Sequence, residues 1–188
     1  MLLVSLVFAQ DLAVPSSTCP SETSSFGEDM RLSGAGVMVV QKEARRMGLY
    51  SSGQLLGCWE VALAYDYNPG HKQRRGDLRT PEGWYRTSDK PWSDFYGAIA
   101  VHYPGVEDAK RGLDSGLISV EEHAAIVSAI SAGKKPPQNT RLGGEILIHG
   151  GGGDTDWTLG CVALENEEID VLRAALPESK RTDVLIVP

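Results

Sequence analysis

The sequence predicts a mostly β domain with two short helices. Of its 188 residues, 21 are glycine, which suits a fold with many tight turns. Most apolar runs are short and bounded by Gly, Pro, Asn or Ser, as strands are. A chain of this length with 41% hydrophobic residues can enclose one full core. We therefore expect a single folded domain over residues 34–188.

Eight apolar segments have the length and composition of strands. They cover residues 37–40, 47–50, 55–64, 84–87, 96–103, 145–149, 162–164 and 184–187. The first three follow one another with charged or Gly-containing turns between them, which is typical of a β-meander.

The two predicted helices are recognised by their starts. Ser119 and Glu122 form a capping box, and Gly133 closes the helix that follows. Asn166 is the predicted cap of the second helix, with two glutamates in its first turn opposing the positive end of the helix dipole.

The first 33 residues are predicted to lie outside the domain. Residues 1–9 are apolar but too short to span a bilayer, and Val7-Phe8-Ala9 fits a small-x-small cleavage site. We interpret residues 1–9 as a signal segment, clipped or weak because the usual positive charges are missing. The alternatives are a start site inside a longer signal, or a first strand or frayed terminus. Residues 10–33, rich in Ser, Thr, Pro and acid, are predicted to be a linker or a loosely ordered arm.

Charge and motif content exclude several functions. The net charge is −7 and no basic run exceeds Arg74-Arg75, so nucleic acid is not an expected partner. The glycine run 150–153 is not followed by Lys-Ser/Thr, which argues against a phosphate loop. His149 and Cys161, even with the aspartates between them, lack the paired spacing of zinc ligands. We predict no metal and no cofactor.

Three cysteines are present, at positions 19, 58 and 161. We favour the interpretation that Cys58 is a buried apolar residue of a strand and Cys19 a linker thiol. The alternative is that Cys19 and Cys58 pair in an oxidising compartment and leave Cys161 alone.

His149 and Cys161 are the candidate catalytic residues. His149 ends an apolar strand and Cys161 follows Gly160 at the start of another, so neighbouring strands would bring imidazole and thiol together. An imidazolium–thiolate pair would attack a carbonyl carbon, and His149 would then protonate the leaving amine. The amides of Gly160 and Cys161 are predicted to stabilise the oxyanion. The carbonyl of Gly150 is the predicted acceptor that orients the imidazole.

Four further residues are candidates for substrate binding. Arg79 could hold a carboxylate, although a role in a surface turn is the alternative. His102 could line the cleft, or be a half-buried structural histidine. Trp157 could form a cleft wall, or belong to the core. Thr158 could hydrogen-bond within the turn that presents Cys161.

Residues 143–164 resemble the catalytic domain of YkuD-type L,D-transpeptidases. That family has a strand ending in His-Gly and a later Ser/Thr-x-Gly-Cys, which Thr158-Leu159-Gly160-Cys161 fits. Residues 76–83 look like the family's Gly-x-x-x-Thr-Pro-x-Gly turn. Tyr103-Pro104 and residues 136–145 look like the murein subgroup that includes lipoprotein-releasing members. The resemblance covers about residues 36–188.

The resemblance implies a mixed β-sandwich in which Cys161 acts on peptidoglycan stem peptides outside the cytoplasm, in the periplasm or cell wall. The thiolate would attack the carbonyl of the third stem residue, a diamino acid, and release D-alanine. An amine of a second stem, a lysine of a murein-linked lipoprotein, or water would resolve the thioester. Carbapenems, which mimic the acyl donor, would modify Cys161.

Two residues depart from many cross-linking members of that family, which carry His at the position of Leu159 and Arg at that of Ala163. Neither Leu159 nor Ala163 can supply a hydrogen bond or a cation to substrate from its side chain. The alternatives to transpeptidation are therefore an L,D-carboxypeptidase, an amidase that releases a murein-bound protein, or a wall-binding domain without turnover.

Overall fold

The computed structural model describes residues 19–188, and in this part of the chain eight strands form one mixed sheet. The strands are β1 Ala35–Gln41, β2 Arg46–Ser51, β3 Gln54–Glu60, β4 Gly83–Asp89, β5 Ile99–Val101, β6 Leu147–His149, β7 Val162–Ala163 and β8 Asp183–Val187. The helices are α1 Val106–Asp114, α2 Val120–Ser131 and α3 Asn166–Ala175. The predicted mostly β fold is confirmed. No helix of the described chain is long and apolar enough to span a membrane.

The sheet has the order β3-β2-β1-β8-β4-β5-β6-β7 and curls until its two ends meet. The predicted meander β1–β2–β3 is antiparallel, β8 is parallel to β1, and β6 is parallel to β7. Just beyond β3, Ala62 exchanges two backbone hydrogen bonds of 2.9 Å with Ala163 of β7. Because the curl closes the sheet on itself, one apolar core takes side chains from all eight strands and from α3.

The helices differ in number from the prediction. Helix α1 was not predicted because its cap, Gly105, has no side chain, and Pro104-Gly105 resembles the end of a strand. Asp108, at the third helical position, accepts a 2.7 Å hydrogen bond from the Gly105 amide, which is the half of a capping box that needs no side chain at the cap. Helix α2 has the predicted capping box between Ser119 and Glu122.

Helix α3 begins one residue earlier than its predicted cap implies. Asn166 is its first residue, and Glu165 occupies the cap position, where its amide donates to Glu168 Oε2 at 3.1 Å.

The described part of the predicted arm is folded. Residues 19–33 contain two short 3-10 helices, Thr23–Phe26 and Met30–Ser33, rather than a loose linker. Backbone hydrogen bonds of 2.9 Å join Thr23 to Gly53 and Leu55 to Ser21. Cys19 and Cys58 form a disulfide, so the interpretation of both as free thiols is wrong. The predicted signal segment 1–9 and residues 10–18 lie outside the described residues.

Candidate active site

The parallel pair β6–β7 places His149 and Cys161 on one side of the sheet. His149 lies opposite Ala163, and Cys161 comes two residues before Ala163, directly ahead of β7. Because side chains two positions apart in an extended chain share a face, the two residues lie on the face opposite the main core. Cys161 packs there against Leu147, Ala98 and Ala100. His149 and Cys161 both line one cavity of about 620 Å³.

A tight turn held by Thr158 presents Cys161. The Thr158 hydroxyl donates to the carbonyl of Cys161 at 2.9 Å and accepts from the amide of Gly160 at 3.2 Å. Gly160 has a φ of 120°, and a Cβ there would lie 2.8 Å from the backbone oxygen of Arg79. Only glycine tolerates both this positive φ and the lack of space for a Cβ atom without strain. Thr158 therefore has the position within the turn that the sequence suggested.

The predicted pair of oxyanion donors is not in place in this structure. The Gly160 amide donates to the Thr158 hydroxyl, because the turn folds it back toward that side chain. The Cys161 amide, by contrast, has no hydrogen-bond partner among the described residues. Of the two predicted donors, the Cys161 amide is therefore the one that is free.

The imidazole of His149 is fixed in orientation and tautomer. Its Nδ1 lies 2.6 Å from the carbonyl oxygen of Gly150. A carbonyl can only accept, so Nδ1 carries the proton and Nε2 is left as the basic nitrogen. Phe95 stacks on the ring with centroids 4.4 Å apart, and Trp157 meets it edge-on at 5.5 Å. The ring therefore has little freedom to rotate.

Burial sets the protonation states of the pair. Desolvation raises the pKa of the Cys161 thiol above its ordinary value, against a smaller opposite effect of the Leu147 amide. Desolvation lowers the pKa of His149, although the hydrogen bond to Gly150 opposes it. Both shifts favour the neutral forms. These directions favour a thiol beside a neutral imidazole in the resting site over the imidazolium–thiolate pair that the sequence predicts.

The resting thiol is held by a backbone carbonyl. Cys161 Sγ donates to the carbonyl oxygen of Glu145 at 3.6 Å rather than to the imidazole. Glu145 has a φ of 56°, which is uncommon for a residue with a side chain. Its carboxylate is bound by Lys90 and, at 3.2 Å, by Lys135, and its amide donates to Gln138 at 2.7 Å. These contacts fix the carbonyl that holds the thiol.

The cavity is lined by both apolar and charged side chains. Phe95, Trp157 and Leu159 are among the apolar ones, and Leu159 is 69% exposed. Among the described residues, Lys72 and Arg75 are the two cations that line it. Trp157 forms a wall of the cavity, which is one of the two alternatives that the sequence left open. Its Nε1 donates to the Gly152 carbonyl at 3.0 Å.

Two predicted substrate-binding side chains lie elsewhere. The Arg79 guanidinium donates to Asn68 Oδ1 at 3.0 Å and does not line the cavity, because its loop turns only the main chain toward Gly160. His102 is buried against Ser88 Oγ at 2.9 Å and lines a different cavity. Burial lowers the pKa of His102 to about 4, with nearby cations adding to the effect. His102 thus does not line the cavity that contains the thiol.

Sequence reasoning missed Phe95 and Arg75. Phe95 belongs to an aromatic-rich loop with Trp92 and Tyr96, and this density of exposed aromatic residues was its only signal. Arg75 was seen only as part of a basic pair. Among the described residues, no group of three or more His, Cys, Asp or Glu side chains could hold a metal ion.

The curled sheet, the His-Gly strand end and the Gly-Cys turn define a catalytic domain of the L,D-transpeptidase type. The chain belongs to the YkuD family, described as the L,D-transpeptidase catalytic domain, which residues 35–186 match.

Among curated proteins, the chain is 33% identical over 129 residues to the Escherichia coli (strain K12) protein named "Putative L,D-transpeptidase YafK". The match covers 64% of this chain and 51% of that protein, so the chain spans about half the length of the curated relative.

Solved structures show the same fold. The helical cell shape determining protein Pgp2 of Campylobacter jejuni (K307A mutant) superimposes with a TM-score of 0.53 at 22% identity, covering 81% of this chain and 46% of that one. Bd1075 of Bdellovibrio bacteriovorus gives a TM-score of 0.51 at 21% identity, covering 80% of this chain and 47% of that one.

Proposed function

We propose that this protein is a peptidoglycan L,D-transpeptidase that uses Cys161 as nucleophile and His149 as general base. The observation that carries the proposal is the fixed imidazole. Nδ1 is bound to the Gly150 carbonyl, so Nε2 is free to take a proton inside the cavity that Cys161 lines. We propose that it works in the cell envelope, where its substrate lies.

The reaction begins when the Cys161 side chain leaves the Glu145 carbonyl and turns toward the imidazole. His149 Nε2 takes the thiol proton as Sγ bonds to the carbonyl carbon of the third stem residue, whose π electrons move to oxygen. The Cys161 amide, which is free in this structure, stabilises that oxygen. Collapse of the intermediate breaks the bond to D-alanine, and His149 returns the proton to the departing nitrogen. A thioester on Cys161 remains.

The acceptor that resolves the thioester is an amine of a second stem. His149 Nε2 takes a proton from the attacking amine, and the Cys161 thiol leaves as it regains one. The apolar face of Phe95, Trp157 and Leu159 borders the cavity and limits the access of water.

A carboxypeptidase, which transfers to water, is the second candidate. Ala163 favours it, because that residue is fully buried and hydrogen-bonded to Ala62 where many cross-linking members carry an arginine. A murein-linked lipoprotein is a further proposed partner. The same thiol would form or cleave the bond between the lipoprotein's lysine and the stem peptide.

The test is incubation of the purified chain with a disaccharide-tetrapeptide, with mass spectrometry of the products and Cys161→Ala as the control. Release of D-alanine with a dimer joined through the third residues supports transpeptidation. Release without a dimer supports the carboxypeptidase. No release, while a lipoprotein-linked muropeptide is cleaved, supports the amidase. If no substrate is turned over and wall binding is unchanged in Cys161→Ala, the proposal is wrong and the chain is a wall-binding domain.

A further inference from the structure

Three charged side chains line the Cys161 cavity, and two of them are already neutralised. Lys72 Nζ is bound to Asp77 Oδ1 at 2.8 Å, with both side chains less than 10% exposed. Glu145 is bound by Lys90 and Lys135. Arg75 has no carboxylate partner among the described residues. The cavity therefore contains one cation whose charge the described protein does not compensate.

The contacts of Arg75 orient its guanidinium without neutralising it. Nη2 donates to the backbone oxygens of Gln138 at 2.9 Å and Thr140 at 3.4 Å, and the Arg75 amide donates to Arg141 at 2.8 Å. A guanidinium has five N–H donors, and the contacts above use only those of Nη2. The N–H groups on Nε and Nη1 are left without acceptors in the described chain. A planar cation held in this way suits a carboxylate.

The position of Arg75 relative to the thiol follows from the segment Gly143-Gly144-Glu145. A Cβ on Gly143 would lie only 3.2 Å from the Cα of Arg75, so the two backbones touch. Two residues further, the Glu145 carbonyl contacts the Cys161 thiol. Two residues of chain span at most about 7 Å, and less here because Gly143 and Glu145 have positive φ values of 96° and 56°. This is the scale of the distance between neighbouring groups of a peptide substrate.

We propose that Arg75 forms a carboxylate subsite that selects the acyl donor, an inference that rests on the proposed function. A stem tetrapeptide has two carboxylates near the reacting carbonyl: the free carboxylate of the third diamino acid and the terminal carboxylate of D-alanine. Either would accept hydrogen bonds from the free N–H groups of Arg75.

The competing explanation is that Arg75 only ties the 72–79 loop to residues 138–141. Such a tie would affect all ligands equally, whereas a subsite would affect only ligands that have the carboxylate. Arg74→Gln is the matched control. It removes the same charge from the neighbouring residue, whose side chain does not line this cavity. Arg75→Lys keeps the charge but loses the fork.

The experiment measures peptide binding by calorimetry, in a Cys161→Ala background that prevents turnover. Three ligands are compared: the tetrapeptide, the tetrapeptide amidated at the diamino acid, and the tetrapeptide amidated at D-alanine. With Arg75 present, one amidation should weaken binding by about tenfold or more, the scale of a hydrogen bond between charged groups. The sensitive position identifies the carboxylate. Arg75→Gln should bind all three ligands alike, Arg75→Lys should discriminate partially, and Arg74→Gln should behave as the parent.

Several results would overturn the subsite. These are equal binding of all three ligands to the parent, no binding of any of them, and unchanged discrimination in Arg75→Gln. If Arg75→Gln does not fold, the comparison of the three ligands on the parent still decides. D-alanine release by the chain with Cys161 intact separates the two proposals. If the parent discriminates among the three ligands but the chain releases no D-alanine, the subsite is retained and the proposed reaction is refuted. If D-alanine is released but the ligands bind alike, the reaction is retained and the subsite is refuted.

Discussion

The Cys19–Cys58 disulfide is predicted to be a major source of stability for the sheet. It joins the segment before β1 to β3 across 39 residues. In the chain-entropy account, a cross-link closing a loop of this size stabilises the folded state by about 4 kcal/mol, because it restricts the unfolded chain. Cys19→Ser is the suitable change. It breaks the cross-link while leaving Cys58, which is 2% exposed, in its packed position.

The observed loss should lie somewhat below that figure. Measured effects of removing disulfides often fall short of the entropic value, and about 2–4 kcal/mol is the expected decrease in the free energy of unfolding. The backbone hydrogen bonds that join Thr23 to Gly53 and Leu55 to Ser21 do not depend on the cross-link. We therefore expect the variant to fold, with a less stable native state.

Urea unfolding measures this directly. The comparison is made in a Cys161→Ser background, so that Cys58 is the only thiol left when Cys19 is replaced. With an m-value of about 2 kcal/mol/M, the midpoint should fall by roughly 1–2 M. The background variant alone should unfold near the wild-type midpoint. A fall of less than about 0.3 M would contradict the reasoning, since it would mean that the cross-link barely restricts the unfolded chain.

Two further predictions concern the site. The rate of acylation of Cys161 by a carbapenem should stay constant as the pH falls to 6.5 and decline only below it. Burial lowers the pKa of His149 from 6.5, so the imidazole remains able to accept the thiol proton to a lower pH; a midpoint above 6.5 would contradict this. Gly160→Ala should slow acylation and destabilise the fold by about 1–3 kcal/mol, because its Cβ would lie 2.8 Å from the Arg79 backbone oxygen. Thermal unfolding with parallel acylation rates tests it, and unchanged rates would refute it.

The strands could be predicted from the sequence because each is a short apolar run with a turn on either side. All eight predicted segments overlap a strand of the sheet. Their pairing could not be predicted in the same way. The parallel register of Ile148 with Val162 depends on how the sheet curls, and that curl depends on the contact of Ala62 with Ala163. Helix α1 lacked the usual signal, since Gly105 has no side chain to cap it.

The candidate catalytic residues could be identified from the sequence, and their surroundings could not. His149 and Cys161 stand in short local motifs, which a chain carries whatever its tertiary structure. Arg75 and Arg79 are four residues apart in one loop, and only the path of that loop decides which side chain enters the cavity. The protonation states likewise follow from burial, which is a property of the packed fold rather than of a motif.

The direction of the two pKa shifts has a consequence for how the thiol is protected. A standing thiolate is the form most open to oxidation, and the disulfide between Cys19 and Cys58 is the kind of bond that persists in an oxidising compartment. In this structure Cys161 is held as a thiol on the Glu145 carbonyl, with its pKa raised by burial. In the proposed reaction, reactivity arises only when a substrate carbonyl occupies the cavity and His149 takes the proton as the new bond forms. General-base activation of this kind would give both a nucleophile during turnover and an unreactive thiol between turnovers.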